Sequence, residues 1–183
     1  MGYHDHMQKI ASLDILTDKD LQQRVMRLSL VIAGATAALA ALVFALGAGE
    51  RVGVWWWVAL ALGAVAPLPV HELVHGAAFK LLCPGCRVSF GFQDAFLYTR
   101  TDDALAVRAR MVAVLLAPSA LVTAGIVVPA LAAGLPVLAV LLSGLHLAGC
   151  AGDITMAVAA LREPRCTHVR DTETGIDLLC AAD

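Results

Sequence analysis

His71-Glu72-Leu73-Val74-His75 lies inside an otherwise apolar segment that runs from Val52 to Leu82. Two histidines four residues apart share one face of a helix, about one turn from each other, so their ring nitrogens can converge on one metal ion. Glu72 is rotated from His71 by about 100° and can reach a water on such an ion rather than the ion itself. The setting carries more information than the spacing. A charged residue at the centre of a membrane helix costs on the order of 2.5–3.5 kcal/mol, so ionisable groups in an apolar span mark function.

Composition agrees with that setting. The 183 residues are 60% hydrophobic and only 15% charged, with a mean hydropathy of +0.78, whereas a soluble domain is about 45–50% apolar and about 25% charged. The chain therefore reads as an integral membrane protein. A net charge of -2 and the lack of a basic patch interleaved with aromatics argue against nucleic acid as a partner. Five cysteines, at 83, 86, 150, 166 and 180, do not make a secreted disulfide framework. The N-terminal region carries Asp14, Asp18, Lys19 and Asp20 and does not read as a signal peptide.

The hydropathy pattern divides the chain into a polar segment at 1–27, a membrane domain at 28–161 and a polar tail at 162–183. Four spans are expected, near 28–48, 52–82, 111–133 and 137–161, each long enough for a bilayer core of ~30 Å at ~1.5 Å per residue. Pro67 and Pro69 should kink the second span just before His71. Between spans two and three, Val88, Phe90 and Phe92 alternate with Ser89, Gly91 and Gln93, and Phe96, Tyr98 and Arg100 alternate with Leu97 and Thr99. That period of two predicts a hairpin turning near Gln93-Asp94-Ala95. The expected class is an all-α integral membrane protein with about four transmembrane helices and one short β-hairpin. Lys19, Arg24 and Arg27 precede span one, Lys80, Arg87, Arg100, Arg108 and Arg110 fall at or between spans two and three, and Arg162, Arg165 and Arg170 follow span four. The positive-inside rule then makes both termini and the hairpin cytoplasmic.

A catalytic zinc site takes three protein ligands and keeps one position open. A third histidine six residues after His75 is excluded, because position 81 is leucine, and Glu163 and Glu173 lie at or beyond the end of span four. Depth separates the remaining candidates. At ~1.5 Å per residue, His75, Asp153 and His71 lie about 10, 12 and 16 Å from the cytoplasmic ends of their spans, and His146 about 22 Å. Asp153 is level with the histidine pair and is the expected third ligand, while His146 is left to line the cavity or support the site from outside. Gly149 and Gly152 would let spans two and four approach closely. Cys83-Pro84-Gly85-Cys86 has zinc-knuckle spacing but no second pair, so it reads as a turn at a helix end.

His71-Glu72-Leu73-Val74-His75-Gly76, followed in the last span by Gly152-Asp153, resembles the family of putative zincin peptidases, small four-span membrane proteins whose layout is similar to that of site-2 proteases. The likeness runs from the second span through the tail. It implies zinc, with His71, His75 and Asp153 as ligands and Glu72 as the catalytic base. The local run Gly149-Cys150-Ala151-Gly152-Asp153-Ile154 departs from the Asn/Pro/Asp-Gly context usual in site-2 proteases.

The expected function is a zinc-dependent intramembrane or membrane-proximal peptidase of a prokaryotic cell membrane, acting on a membrane protein or peptide. Assembly into a homo-oligomer is compatible with the sequence. Two other classes use the same buried charges: a catalytically inactive metal-binding membrane protein, and a small transporter. Four spans without a visible repeat speak against the transporter. The hairpin's aromatics read as interfacial anchors, and its open edge offers a place for an extended substrate to add as a strand.

Overall fold

A computed structural model of the chain describes residues 7–47, 50–93, 96–102 and 104–181. Helix α1 (Lys19–Ala45) starts at Asp18, whose carboxylate accepts the backbone N–H groups of Asp20 at 2.9 Å and Leu21 at 3.0 Å, satisfying donors that a helix start leaves free. Beyond Arg27 the helix is apolar all round. Leu30, Val31, Leu39 and Phe44 are exposed while only Leu21 and Ala40 are buried, the pattern of a helix meant for an apolar surround.

Helices α2 (Val54–Val65) and α3 (Pro67–Leu82) follow, and together they make one apolar stretch of 29 residues. Ala66 between them keeps helical angles, φ -58° and ψ -34°. The expected proline effect is thus confined to an interruption where Pro67 has no N–H to donate. Helix α4 covers Arg108–Ala132, and the last apolar stretch is split into α5 (Pro136–Gly149) and α6 (Ala151–Arg162), which bend by 58° about Cys150. Among the described residues, three helices are long and apolar enough to cross a membrane, or four if the bent pair is one span.

The all-α expectation is overturned. Strands β1 (Met7–Asp14), β4 (Leu105–Val107), β5 (His168–Thr172) and β6 (Gly175–Ala181) form an antiparallel sheet in the order β1-β6-β5-β4, so the fold is mixed α/β. A separate hairpin pairs β2 (Val88–Gln93) with β3 (Phe96–Thr101), in register from Val88 against Thr101 to Gln93 against Phe96. Asp94 and Ala95, where the turn is expected, lie outside the described residues. The four-stranded sheet escapes a hydropathy count because polar residues surround its apolar ones. Val169, Ile176, Leu178 and Leu179 are nonetheless buried. Asp177, also buried, accepts from Ser12 Oγ at 2.6 Å and meets Lys9 Nζ at 3.0 Å, which fastens the N-terminal strand to the C-terminal one.

The main core lies where sheet meets helices. Phe79 of α3, Met111 and Val114 of α4, and Ala157 and Ala160 of α6 pack with Val169, Ile176 and Leu178. The sheet therefore closes the end at which α3 and α6 finish and α4 begins.

Candidate metal centre

Helix α3 presents His71 and His75 one turn apart, with ring centroids 4.7 Å from each other. The first turn of α6 presents Asp153 to both. Its Oδ2 lies 3.2 Å from His71 Nε2 and 3.4 Å from His75 Nε2, and these three donor atoms sit within 4.8 Å of one another. The side chains are 16%, 10% and 17% exposed in the order His71, His75, Asp153, so the cluster is enclosed yet reachable. The bend at Cys150 starts a new helix just before Asp153, and the free N–H groups and dipole of that helix start favour a carboxylate there. Two imidazole nitrogens and one carboxylate oxygen are a donor set that suits zinc and leaves a fourth position open.

Glu72 follows His71 on α3. Its Oε2 is 2.7 Å from the hydroxyl of Thr99 on β3, and the same hydroxyl lies 2.8 Å from the Glu72 carbonyl oxygen. Thr99 pairs directly with Phe90 across the hairpin, so the two share one face, and that face rests on α3. Gly76 makes the approach feasible, because a Cβ on Gly76 would run into the Phe90 ring. Thr99 carries no catalytic signature in the sequence. The signal was the hairpin's alternation, which places Thr99 opposite Phe90, but nothing in one strand's pattern says that α3 lies beneath.

His146 is closer to the site than its sequence depth implied. Its Nε2 lies 3.4 Å from His71 Nδ1, its Nδ1 lies 3.1 Å from Thr123 Oγ1 on α4, and only 8% of the residue is exposed. In one straight helix seven residues would separate His146 from Asp153 by about 10 Å, but the chain bends by 58° between them. Cys150 Sγ, at the bend, is 3.8 Å from His71 Nδ1 and 3.7 Å from His146 Nε2.

Cys83 and Cys86 are free thiols at the end of α3, where Gly85 has φ +92°, a conformation open to glycine and costly for other residues. Burial pushes both thiols above their ordinary range, and a protonated thiol is a poor ligand and nucleophile. Among the described residues they join no group of three metal-ligating side chains. A cavity of about 440 Å³ lies against the neighbouring face of α3, with Val70, Val74, Val122, Ile126 and Leu142 in its walls.

Residues 64–168, which include both histidines, Glu72, Asp153 and the hairpin, match the family described as putative zincin peptidase. No curated protein and no solved structure matches the chain.

Proposed function

The chain belongs to the family described as putative zincin peptidase, and on that premise we propose that it is a zinc-dependent peptidase working within or at the face of a membrane. The observation that carries the reading is the convergence of His71 Nε2, His75 Nε2 and Asp153 Oδ2 from two helices onto one point. Zinc held by these three atoms supplies a Lewis acid for the scissile carbonyl and lowers the pKa of water.

The remaining chemistry belongs to the chain. Glu72 takes the proton of the attacking water and returns it to the departing amine. The Thr99 hydroxyl holds the Glu72 carboxylate in one orientation while it does so. Asp153 contributes a negative charge that would offset one of the two positive charges of a divalent cation inside an apolar span.

Three features support the membrane setting: the apolar helices, the exposed leucines and valines along α1, and the clustering of Lys80, Arg108, Arg110, Arg162 and Arg170 at the sheet end of the helices. On this reading the sheet and both termini are cytoplasmic by the positive-inside rule, the hairpin enters from that side to reach Glu72 and Gly76, and residues 28–161 form the membrane domain. Among the described residues the β2–β3 hairpin pairs with no further strand. An extended substrate, a membrane protein or a peptide, would add to its edge beside Glu72, since hydrolysis needs a backbone whose carbonyl is not locked in a helix.

The test uses the purified full chain in detergent, with zinc counted per chain and hydrolysis followed on a quenched fluorescent peptide library. Wild type should carry about one zinc, as expected for a three-ligand site. Asp153→Ala should lose it, and Glu72→Gln should keep the zinc and lose turnover. Wild-type protein without zinc under zinc-replete conditions would overturn the reading. Wild-type turnover in Glu72→Gln would leave a metal-binding protein without this peptidase chemistry.

A further inference from the structure

We propose that His146 is a positioning residue for the metal centre: it fixes the tautomer and ring orientation of His71, and Thr123 fixes His146 in turn. The inference rests on the zinc reading above. His71 has two ring nitrogens with different surroundings. Nε2 faces Asp153 at 3.2 Å, while Nδ1 faces away from the cluster toward His146 Nε2 at 3.4 Å. If Nε2 gives its lone pair to zinc, the ring proton must reside on Nδ1. His146 Nε2 then has to accept that proton's hydrogen bond, which puts the His146 proton on Nδ1. That nitrogen lies 3.1 Å from Thr123 Oγ1, and a hydroxyl oxygen can accept it. One direction of donation therefore satisfies all three residues: His71 donates to His146, and His146 donates to Thr123. The opposite tautomer of His146 would set two N–H groups against each other.

Cys150 is the competing partner, with Sγ 3.8 Å from His71 Nδ1. A thiol sulfur is a weak acceptor, and an imidazole nitrogen at 3.4 Å is the better one. Cys150, His146 and His71 also form a second group whose donor atoms lie within 4.8 Å of one another, so a second ion sharing His71 is the alternative that the experiment has to separate. Sharing would require His71 to give up its remaining ring proton, whereas the relay keeps that proton on Nδ1.

The experiment measures zinc affinity of the full chain in detergent by chelator competition, with zinc stoichiometry recorded in the same samples. Partners that orient a metal-bound histidine are worth about 10–100-fold in metal affinity, so His146→Phe should weaken zinc binding by that factor while His146→Gln, whose amide oxygen accepts, should stay within about threefold of wild type. Thr123→Val should weaken binding in the same direction by less, and Cys150→Ala should leave it unchanged. Wild-type affinity in His146→Phe overturns the inference, as does an equal loss in His146→Gln, which would mean packing alone. A loss in Cys150→Ala that matches His146→Phe assigns the contact to sulfur and overturns it too. A stoichiometry that falls from two to one in His146→Phe means a second ion. Should His146→Phe not fold, Thr123→Val carries the test, and an unchanged affinity there overturns the relay. Failure of the zinc reading itself looks different: wild type binds no zinc, or Asp153→Ala binds it normally.

Discussion

Thr99 is bound to Glu72 more closely than any other side chain at the site, at 2.7 Å from Oε2. A hydrogen bond to an ionised group contributes about 1.5–3 kcal/mol, and part of that here goes into holding the carboxylate still. Thr99→Val keeps the shape and removes the hydroxyl. Its turnover is expected to fall by about tenfold, equivalent to about 1.4 kcal/mol in the barrier, with zinc content unchanged. Parallel zinc and peptide-hydrolysis measurements check it, and a matching loss of zinc would assign Thr99 to the architecture of the metal cluster instead. At this scale the sequence disclosed the residues whose spacing has a geometric meaning. His71 and His75 are four apart, and Asp153 is an acid in an apolar run at matching depth. Thr99 and Thr123 have no such mark, because a hydroxyl in a strand or a helix is common and gains its role only from the neighbour it faces; His146 stood out as an ionisable group in an apolar run, but its approach to His71 did not.

Glu50 shows the same lesson for an element. In the sequence Glu50-Arg51 is a short polar break between two apolar runs. In the fold its carboxylate accepts the backbone N–H groups of Val137 and Leu138, the latter at 3.1 Å, and also takes the Trp56 indole N–H at 2.6 Å. It therefore serves the first turn of α5 from 87 residues away, supplying a cap that Leu135 cannot. Glu50→Ala is expected to destabilise the chain by about 1 kcal/mol, seen as a midpoint lower by about 2–4 °C in a thermal melt in detergent. An unchanged midpoint would mean that water replaces the carboxylate at that helix start. Helix α5 is held at its other end as well, where Ser29 Oγ donates to the Ala148 carbonyl at 2.6 Å and Gly144 leaves room for Thr36. With both ends fixed against α1 and the loop at Glu50, the bend at Cys150 has a definite direction, and Asp153 meets the histidines. The apolar runs were legible in the sequence, although α1 begins at Lys19 rather than at 28 and the last run is two helices. The bend was not, because it depends on what α5 packs against.

At the scale of the molecule, an apolar helix surface and a sheet divide the work. The exposed apolar residues of α1, with Leu30 at 63% and Val31 at 67%, need an apolar surround, since burial of such side chains is worth about 1.5–3 kcal/mol each. The chain is expected to stay in the membrane pellet after an alkaline wash and to need detergent for release. Its appearance in the alkaline supernatant would rule out spanning helices. Below the helices, β1 from one end of the chain and β5–β6 from the other zip together through Asp177, Ser12 and Lys9. This pairing spans more than 160 residues, and no local window contains it. The sequence by itself determined the apolar spans, the hairpin and the histidine pair, because hydropathy, alternation and a four-residue spacing are local properties that a short segment enforces on itself. The tertiary structure alone decided the sheet, the bend at Cys150, the place of His146 and the hold of Thr99 on Glu72. Each of those is a contact between residues far apart in the chain, and its energy exists only after the fold has brought them together.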